Sequence, residues 1–462
     1  MIVPLAAVAA LAVLLRLVYG RGLVGYDTSA ALVWGNDLLH GRVPDFRSMF
    51  APTPHPLSYI ALAPVSALGE GAVAVTEAIS WLSFAFLGYA AYRLGRVLFS
   101  APVGIVFALI LLTRPLLLGE TMQAFVDIPC LGLVLLAAAW EAERPRRGWP
   151  VLVLLGLAGL MRPESWLLAA IYALHAMRGR DTRAKLGLAA LAAAAPLLWA
   201  LCDLAITGDP LFSLHNTQDA AARIGRPRGI GNALDLTSSY LSEMLGAAVV
   251  WCGLAGCLAA LYLLYRRALI PVAILALGLG GFLVLGVTHL PLLRRYLFPA
   301  GAALALFCAV ALLGWLLLER GSRIRHGWMA AAVAVLAVLA ISLPGVGRDL
   351  RDTEDLHATL GAGQRSLRAL MSANGVPKSC AKVLVQDIQL SHQVAAAADV
   401  PLSRIRLDFE PQRASGLFVA PRSEVAHVYY VYEDAYRVYR PRDLPGFRLA
   451  ASNRDWALWE KC

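Results

Sequence analysis

Tyr26 and Asp27 place a carboxylate directly behind the first long apolar segment of the chain, 2–20, and a long polar and amphipathic stretch follows them. A carboxylate at a membrane edge can act as a general base toward a hydroxyl group. The alternative is a helix N-cap, because Asp27 or Thr28 precedes the amphipathic run 30–39 and Asp is a favoured cap. The residues alone leave both interpretations open.

Two short polar segments interrupt apolar runs further along. Glu120 and Asp127 are seven residues apart and share a face if the segment is helical, where they could bind acceptor hydroxyls or a cation. The alternative is an interfacial helix start, since acids favour the N-terminal end of a helix. Arg162 and Glu164 flank Pro163 between two short apolar segments. They are candidates for the same site, and a purely structural Arg–Glu pair is the alternative.

Two histidines lie in loops of unusual polar density. His55 lies between Pro54 and Pro56, where a stiff backbone could aim the ring. His215 and Asn216 follow a Gly-Asp-Pro turn signal and should face a loop. We regard these three residues as candidates for binding or supporting an acceptor or a sugar.

Two adjacent arginines, Arg294 and Arg295, open an apolar segment beside His289 and Tyr296. Arginine binds phosphate oxygens through charge-assisted, often bidentate hydrogen bonds. A lipid phosphate is therefore the predicted partner of this segment. Snorkelling toward any lipid headgroup is the alternative.

The composition predicts a polytopic helical membrane protein. The 462 residues are 59% hydrophobic and 16% charged, with a mean hydropathy of +0.63, whereas soluble domains carry roughly 25% charged residues. The apolar runs are long enough to cross about 30 Å of hydrocarbon. About eleven spanning segments are expected, near 2–20, 72–92, 102–118, 124–141, 149–161, 163–177, 184–206, 243–265, 268–288, 297–318 and 327–344.

The distribution of cations predicts the orientation. Lys and Arg concentrate in alternate short loops, at 93–96, 144–147, 178–185, 266–267 and 320–325. The positive-inside rule makes these loops cytoplasmic. With eleven spans the N-terminus lies inside and the C-terminus outside. Read this way, the net charge of +10 is a topology signal and does not indicate a nucleic acid partner.

The outer face should carry two long loops, 21–56 and 207–240, and the polar tail 345–462. The tail follows a membrane domain 1–344 and reads as a small α/β domain, with a polar helix first and short strands at 382–385, 425–432 and 456–459. Its two cysteines, Cys380 and Cys462, form either a disulfide or two free thiols, because sequence cannot give the Cα separation that a bridge requires.

No Walker motif, Gly-rich dinucleotide turn, Gly-x-Ser-x-Gly elbow or Cys/His metal cluster occurs in the sequence. These absences argue against a nucleotide-driven pump and against a soluble-type nucleotide-sugar enzyme. A lipid-linked donor is the more plausible source of substrate and energy.

The order of motifs resembles the GT-C superfamily of integral-membrane glycosyltransferases, which use polyprenyl-phosphate sugars. The resemblance is carried by Tyr26-Asp27, the Pro-rich stretch 52–57, the Arg-Pro-Glu turn in 159–164, the Gly-Asp-Pro turn 208–211 and the segment 295–299. It spans nearly the whole chain in short, degenerate motifs, and is most similar to mannosyl- and arabinosyltransferases. Several members carry two adjacent acids after the first helix, whereas Thr28 follows Asp27 here.

The resemblance implies an inverting glycosyltransferase of the bacterial plasma membrane. Asp27 would deprotonate the acceptor hydroxyl of a glycan, glycolipid or protein. Arg294 or Arg295, with His289, would meet the charge of the polyprenyl phosphate that leaves. One base and cationic stabilisation are chemically sufficient, so neither a metal nor a cofactor is implied.

Two other functions compete with this reading. A transporter or flippase of a lipid-linked glycan would explain charges at membrane depth, but it would also predict related halves. A non-catalytic envelope assembly protein would use the tail to bind glycan. Aromatics at 429, 430, 432 and 436 could stack on sugar rings, although a strand core is the alternative role for them.

Overall fold

A computed structural model describes residues 2–48, 51–408, 410, 413–429 and 438–462. The described residues are largely helical and end in one small sheet. The helices are α1 (Ile2–Tyr19), α2 (Tyr26–Leu39), α3 (Pro56–Ser66), α4 (Gly71–Leu98), α5 (Ala101–Leu112), α6 (Pro115–Met122), α7 (Asp127–Glu143), α8 (Trp149–Gly159), α9 (Glu164–Ala176), α10 (Thr182–Thr207), α11 (Phe212–Arg223), α12 (Ile230–Leu245), α13 (Ala247–Leu263), α14 (Tyr265–Val287), α15 (Phe298–Leu313), α16 (Arg323–Asn374), α17 (Ile388–Ala398) and α18 (Glu424–His427).

Helix boundaries follow local sequence signals. Pro56 occupies the start of α3, where its missing N–H costs nothing. Asp181 caps α10 by accepting a hydrogen bond from the Ala184 N–H at 2.8 Å. Gly208 ends α10 with φ of +79°, a left-handed conformation that glycine adopts without strain.

Each of the eleven predicted segments overlaps at least one helix. Among the described residues, five helices are long and apolar enough to cross a membrane. The number rises to seven if two bent pairs each count as one span, α5 with α6 (bent by 64°) and α12 with α13 (bent by 106°). The figure of eleven therefore stays a prediction.

Helix α15 lies at the centre of the membrane part. Its residues from Phe298 to Ala311 are almost all buried, because α5, α13, α14 and α16 pack around it. A helix that is apolar on every side is stable only in such surroundings. The 3₁₀ turn Arg294–Leu297 leads into α15 and so fixes the position of the two adjacent arginines.

The polar helix expected after the last span is continuous with that span. α16 runs for 52 residues, from Arg323 to Asn374, and the boundary expected at 344/345 lies inside it. Its C-terminal part packs against α6, α17 and α18. The tail is thus attached through a helix without a flexible linker.

The tail contains a five-stranded sheet in the order β2-β1-β3-β5-β4. The strands are β1 (Val383–Val385), β2 (Ile405–Leu407), β3 (Gly416–Pro421), β4 (Arg448–Ser452) and β5 (Trp456–Lys461). β1 is parallel to β2 and β3, whereas β5 is antiparallel to β3 and β4. The predicted small α/β domain is confirmed.

Two of the three predicted strands are confirmed, as β1 and β5. The prediction of a strand at 425–432 is wrong where the structure describes it, because α18 occupies Glu424–His427, and 430–432 lie outside the described residues. Cys380 and Cys462 form a disulfide with a Cα–Cα distance of 5.0 Å. Tyr429 is buried under Trp456 and is therefore a core residue.

Candidate active site

Asp27 lies in the first turn of α2 without capping it. The residue before the helix is Gly25, which is extended and has no side-chain cap bond. The Asp27 Oδ2 instead accepts a hydrogen bond from Arg295 Nη1 at 3.2 Å, and Thr28 donates its hydroxyl to the Ala124 carbonyl at 2.8 Å. The N-cap interpretation is therefore wrong, and the carboxylate is directed toward a basic partner.

Residues 22–25 hold Asp27 in place by pairing with the turn between α6 and α7. The N–H of Leu23 donates to the Met122 carbonyl at 2.7 Å, and that of Gly25 donates to the Gln123 carbonyl at 2.9 Å. A Cβ at position 25 would lie 2.6 Å from the Phe125 ring, so only glycine allows this approach.

Two arginines and two aspartates alternate in a partly buried cluster beside α2. Arg295 reaches Asp27 at 3.2 Å and Asp127 at 3.8 Å. Arg162 donates to the same Asp127 at 2.6 Å. The side chains of the four residues are between 3% and 18% exposed. Charges removed from water are tolerated when each has an opposite partner, which this alternation supplies.

The cluster keeps unused hydrogen-bonding capacity. Two buried atoms of the cluster, Arg295 Nε and Arg162 Nε, and the Oε2 atom of the neighbouring Glu120 have no hydrogen-bond partner among the described residues. Most buried polar atoms in proteins are hydrogen-bonded, and exceptions often mark functional sites. The geometry leaves two donors and one acceptor for a bound molecule.

Glu120 and Asp127 meet at the site from different helices. Glu120 belongs to α6 and Asp127 opens α7, and Ala124 between them has φ of +58°. The prediction of a common helix face is wrong because the chain turns there. Asp127 and Asp27 are joined through Arg295, which lies between the two carboxylates.

The segment predicted to bind phosphate divides into two groups. Arg295 and Tyr296 lie at the cluster, with the Tyr296 ring 5.7 Å from the Arg162 guanidinium. Arg294 is exposed and pairs with Glu243 at 3.0 Å. His289 is also exposed, in a left-handed backbone conformation with φ of +54°. Adjacent residues of the 3₁₀ turn thus face different surroundings.

Another candidate, His55, lies within electrostatic reach of Arg162 and Arg295. The residue is buried, and its ring meets Trp199 edge-on at 5.7 Å. Burial lowers its pKa well below the usual range, and the charges of Arg162 and Arg295 act in the same direction. The imidazole is therefore neutral, and its Nδ1 has no partner among the described residues.

Of the remaining candidates, Glu164 acts electrostatically on Arg162, and His215 and Asn216 belong to α11. Glu164 begins α9, and Arg162 forms its ion pair with Asp127 instead of with this acid. His215 is an exposed residue of α11 and pairs with Asp209 at 2.8 Å. Asn216 belongs to the same helix. The hydrogen bond from the Leu211 N–H, followed by that from His215, lowers the pKa of the Asp209 carboxyl.

Two residues that act on this region, Arg226 and Gln364, were not predicted from the sequence. Arg226 acts on Tyr26, the residue before Asp27. Burial raises the pKa of Tyr26 well above its usual range and Asp27 adds to this, whereas the charge of Arg226 acts in the opposite direction. Three arginines within 223–228 were the available signal. Gln364 of α16 bonds both backbone groups of Val24, at 3.1 and 2.8 Å. Its separation of 340 residues from Val24 left no signal in the sequence.

No family model matches the chain, and no curated protein matches it by sequence. Solved structures do match. One is ArnT from Cupriavidus metallidurans bound to undecaprenyl phosphate, with 15% identity and a TM-score of 0.57, over 98% of this chain and 97% of that one. Another is the oligosaccharyltransferase from Archaeoglobus fulgidus in the apo form, with 14% identity and a TM-score of 0.53, over 91% of this chain and 69% of that one. The chain therefore has the GT-C fold of multi-pass membrane proteins.

Proposed function

We propose that the protein is an inverting glycosyltransferase that moves a sugar from a polyprenyl-phosphate donor to a hydroxyl acceptor. The contact between Asp27 Oδ2 and Arg295 Nη1 is the observation that carries this proposal. It joins a candidate base on α2 to a candidate phosphate-binding cation before α15. The similarity to ArnT bound to undecaprenyl phosphate supports the donor class.

The reaction needs one proton transfer and one displacement. Asp27 takes the proton of the acceptor hydroxyl through Oδ1, since Arg295 holds Oδ2. The hydroxyl oxygen then attacks the anomeric carbon from the face opposite the donor phosphate. The bond between that carbon and the phosphate oxygen breaks, and the electron pair leaves with the polyprenyl phosphate.

In the proposal, Arg295 acts on both the base, Asp27, and the leaving phosphate group. Its contact with Asp27 orients the base, and its unpartnered Nε can donate to a phosphate oxygen as negative charge develops there. Preorganised donors at developing charge account for much of enzymatic rate enhancement. Tyr296 lines the same site, whereas Arg294 and His289 would meet the headgroup at the surface.

The finer assignments follow the same argument. We propose mannose or arabinose as the sugar and a cell-envelope glycan, glycolipid or protein as the acceptor. His55, Glu120, Asp127, Arg162 and Glu164 would surround the sugar or the acceptor. The reaction would occur at the outer face of a bacterial plasma membrane, with the tail outside and the N-terminus in the cytoplasm.

Substitution of Asp27 tests the proposal directly. We expect Asp27→Asn to lower kcat for transfer from polyprenyl-phosphate sugars by about 100-fold or more, since positioned general bases contribute roughly 10²–10⁴-fold. Donor binding should be retained. The matched control is Asp37→Asn, on the same helix, where Asp37 pairs with Arg42 away from the cluster. Turnover of Asp27→Asn at the wild-type rate would exclude the proposed base.

A further inference from the structure

A second cavity lies on the other side of the segment that leads to Asp27. It has a volume of about 840 Å³ and lies between α2, the start of α4 and the C-terminal parts of α16 and α17. Its lining includes Arg21, Arg365 and Arg368, and we call it the arginine cavity. None of the four residues of the Asp27 cluster lines it, so the two sites are separate.

The three arginines of this cavity are not held by ion pairs in the described part of the chain, although the charge of Glu70 acts on Arg368. Among the described residues, none of their guanidinium groups forms a hydrogen bond or an ion pair. An arginine offers five donors in a planar fork. Three such groups around one cavity can bind an anion through several charge-assisted bonds.

The acids of the cavity are mostly engaged elsewhere. Asp37 pairs with Arg42 at 2.8 Å, and Glu77 pairs with Arg16 at 2.6 Å. A third acid, Asp399, accepts a hydrogen bond from the Asn36 side chain. The fourth acid, at position 70, is exposed. Within the described residues, three guanidinium groups without a hydrogen bond or ion pair therefore face two carboxylates without an ion pair, Asp399 and Glu70, and the charge of Glu70 acts on Arg368.

The cavity lies where two apolar helices, α1 and α4, have their ends. α1 ends at Tyr19, two residues before Arg21, and α4 begins at Gly71 beside the cavity. This is the side of the helices that carries the tail, opposite the arginine-rich short loops. Arginine side chains bind phosphate groups through charge-assisted, often bidentate hydrogen bonds, and lipid phosphates lie at the ends of membrane helices. Alanine and valine side chains of α4 and α17 also line the cavity and can contact the apolar part of a lipid.

We propose that the arginine cavity binds the phosphate group of an anionic membrane lipid. The site borders the segment that positions Asp27. A methyl group at Gly361 would lie 3.1 Å from Arg365 Nη1 and 3.7 Å from the Gly22 carbonyl oxygen, so Arg365 reaches beside residue 22. The bound lipid would thus lie next to the active site without entering its charged cluster.

The test measures lipid binding by the purified full-length protein and does not need the sugar substrate. Native mass spectrometry would compare phosphatidylglycerol with phosphatidylcholine. We expect wild-type protein to prefer phosphatidylglycerol, and Arg365→Gln/Arg368→Gln to lower that affinity by about tenfold, as loss of charge-assisted bonds implies. The matched control is Arg348→Gln/Arg351→Gln, which removes equal charge from exposed positions of the same helix outside the cavity.

Two results would overturn the proposal. One is equal phosphatidylglycerol binding by the cavity variant and its control. The other is binding of inorganic phosphate as tight as binding of the lipid, which would indicate a site for free phosphate. If the double variant does not fold, as thermal unfolding would reveal, Arg21→Gln provides the second variant, because Arg21 is exposed. A retained lipid preference in Arg21→Gln would then count against the site.

Discussion

Arg294 and Arg295 differ in their partners although they are neighbours in the chain. Arg295 contacts Asp27 and Asp127 inside the cluster, whereas Arg294 pairs with Glu243 at the surface. A buried, multiply paired guanidinium contributes both charge and fixed geometry. An exposed ion pair contributes little. The proposed chemistry should therefore depend on one arginine of the pair.

Substitution by lysine distinguishes the contribution of Arg295 to catalysis from that of Arg294. Arg295→Lys keeps the charge but cannot hold two carboxylates with one planar group, so we expect kcat for sugar transfer to fall about 10- to 100-fold. Arg294→Lys is the matched control and should stay within about threefold of wild type. Equal effects of the two substitutions on kcat would contradict the role of Arg295 in orienting Asp27.

The four residues of the charged cluster were among the candidates that the sequence offered, but their pairing was not predictable. Charges near a membrane are costly, and this rule selected Asp27, Asp127, Arg162 and Arg295 from the sequence. It could not choose between Glu164 and Asp127 as the partner of Arg162. That choice depends on the rotation of helices around their axes and on the turn at Ala124, which only the packing determines.

At the scale of elements, the approach of residues 22–25 to the α6–α7 turn sets the position of α2. Two backbone hydrogen bonds join these segments on one side, and Gln364 of α16 holds Val24 on the other. The segment that leads into α2 is therefore fixed by two other parts of the chain, the α6–α7 turn and α16. Small displacements of a catalytic group can lower the rate strongly.

Gly25→Ala should disturb this arrangement. The added methyl group would lie 2.6 Å from the Phe125 ring and 2.9 Å from the Gln123 carbonyl oxygen, so the segment must shift. We expect kcat for sugar transfer to fall by about tenfold or more because Asp27 moves away from Arg295. Gly71→Ala is the control, since its new methyl group would meet only the Leu68 Cβ at 3.6 Å. Activity of Gly25→Ala equal to that of the control would show that this approach does not position Asp27.

Apolar length was sufficient to locate the helices of the membrane part, because each long apolar run must form hydrogen bonds within itself. The tail was harder to predict. β3 (Gly416–Pro421) is buried along its whole length and therefore lacks the alternation that reveals a half-exposed strand. The Val- and Tyr-rich stretch from Val425 favours a strand locally, yet it begins as α18, packed against α16. Tertiary contacts outweigh local propensity there.

At the scale of the whole molecule, the disulfide closes the tail on itself. Cys380 precedes β1 and Cys462 follows β5, 82 residues apart, so the bridge encloses the five strands of the described sheet. A bridge across a loop of this length stabilises a fold mainly by restricting the unfolded chain, by about 4.5 kcal/mol in the entropic account.

Cys380→Ser/Cys462→Ser should therefore lower the thermal unfolding midpoint of the tail measured without reductant. Reductant should lower the midpoint of the wild-type protein and leave that of the double variant unchanged. The control is Cys202→Ser, which removes a free thiol from α10. A double variant as stable as this control would exclude a stabilising role for the bridge.

The tail also docks directly on the helix that carries Asp27. His392 of α17 meets the Tyr26 ring edge-on at 4.5 Å and the Trp34 ring at 6.4 Å. It is fully buried, and its Nε2 has no partner among the described residues. Burial lowers the pKa of His392 to about 3, from about 6.5 in an unfolded chain.

This shift links the docking of the tail to pH. Between about pH 6.5 and pH 3 the unfolded chain binds a proton at His392 that the folded chain does not bind. The free energy of unfolding should therefore fall as the pH is lowered through that window, by up to about 1.4 kcal/mol per pH unit from this residue, and be unaffected by it above pH 6.5. Thermal unfolding of wild type and His392→Gln at pH 7.5 and pH 5 isolates the contribution. At pH 5 the wild-type protein should have lost more stability, relative to pH 7.5, than His392→Gln has lost. An equal loss in the two proteins would show that His392 is not buried as a neutral ring against α2.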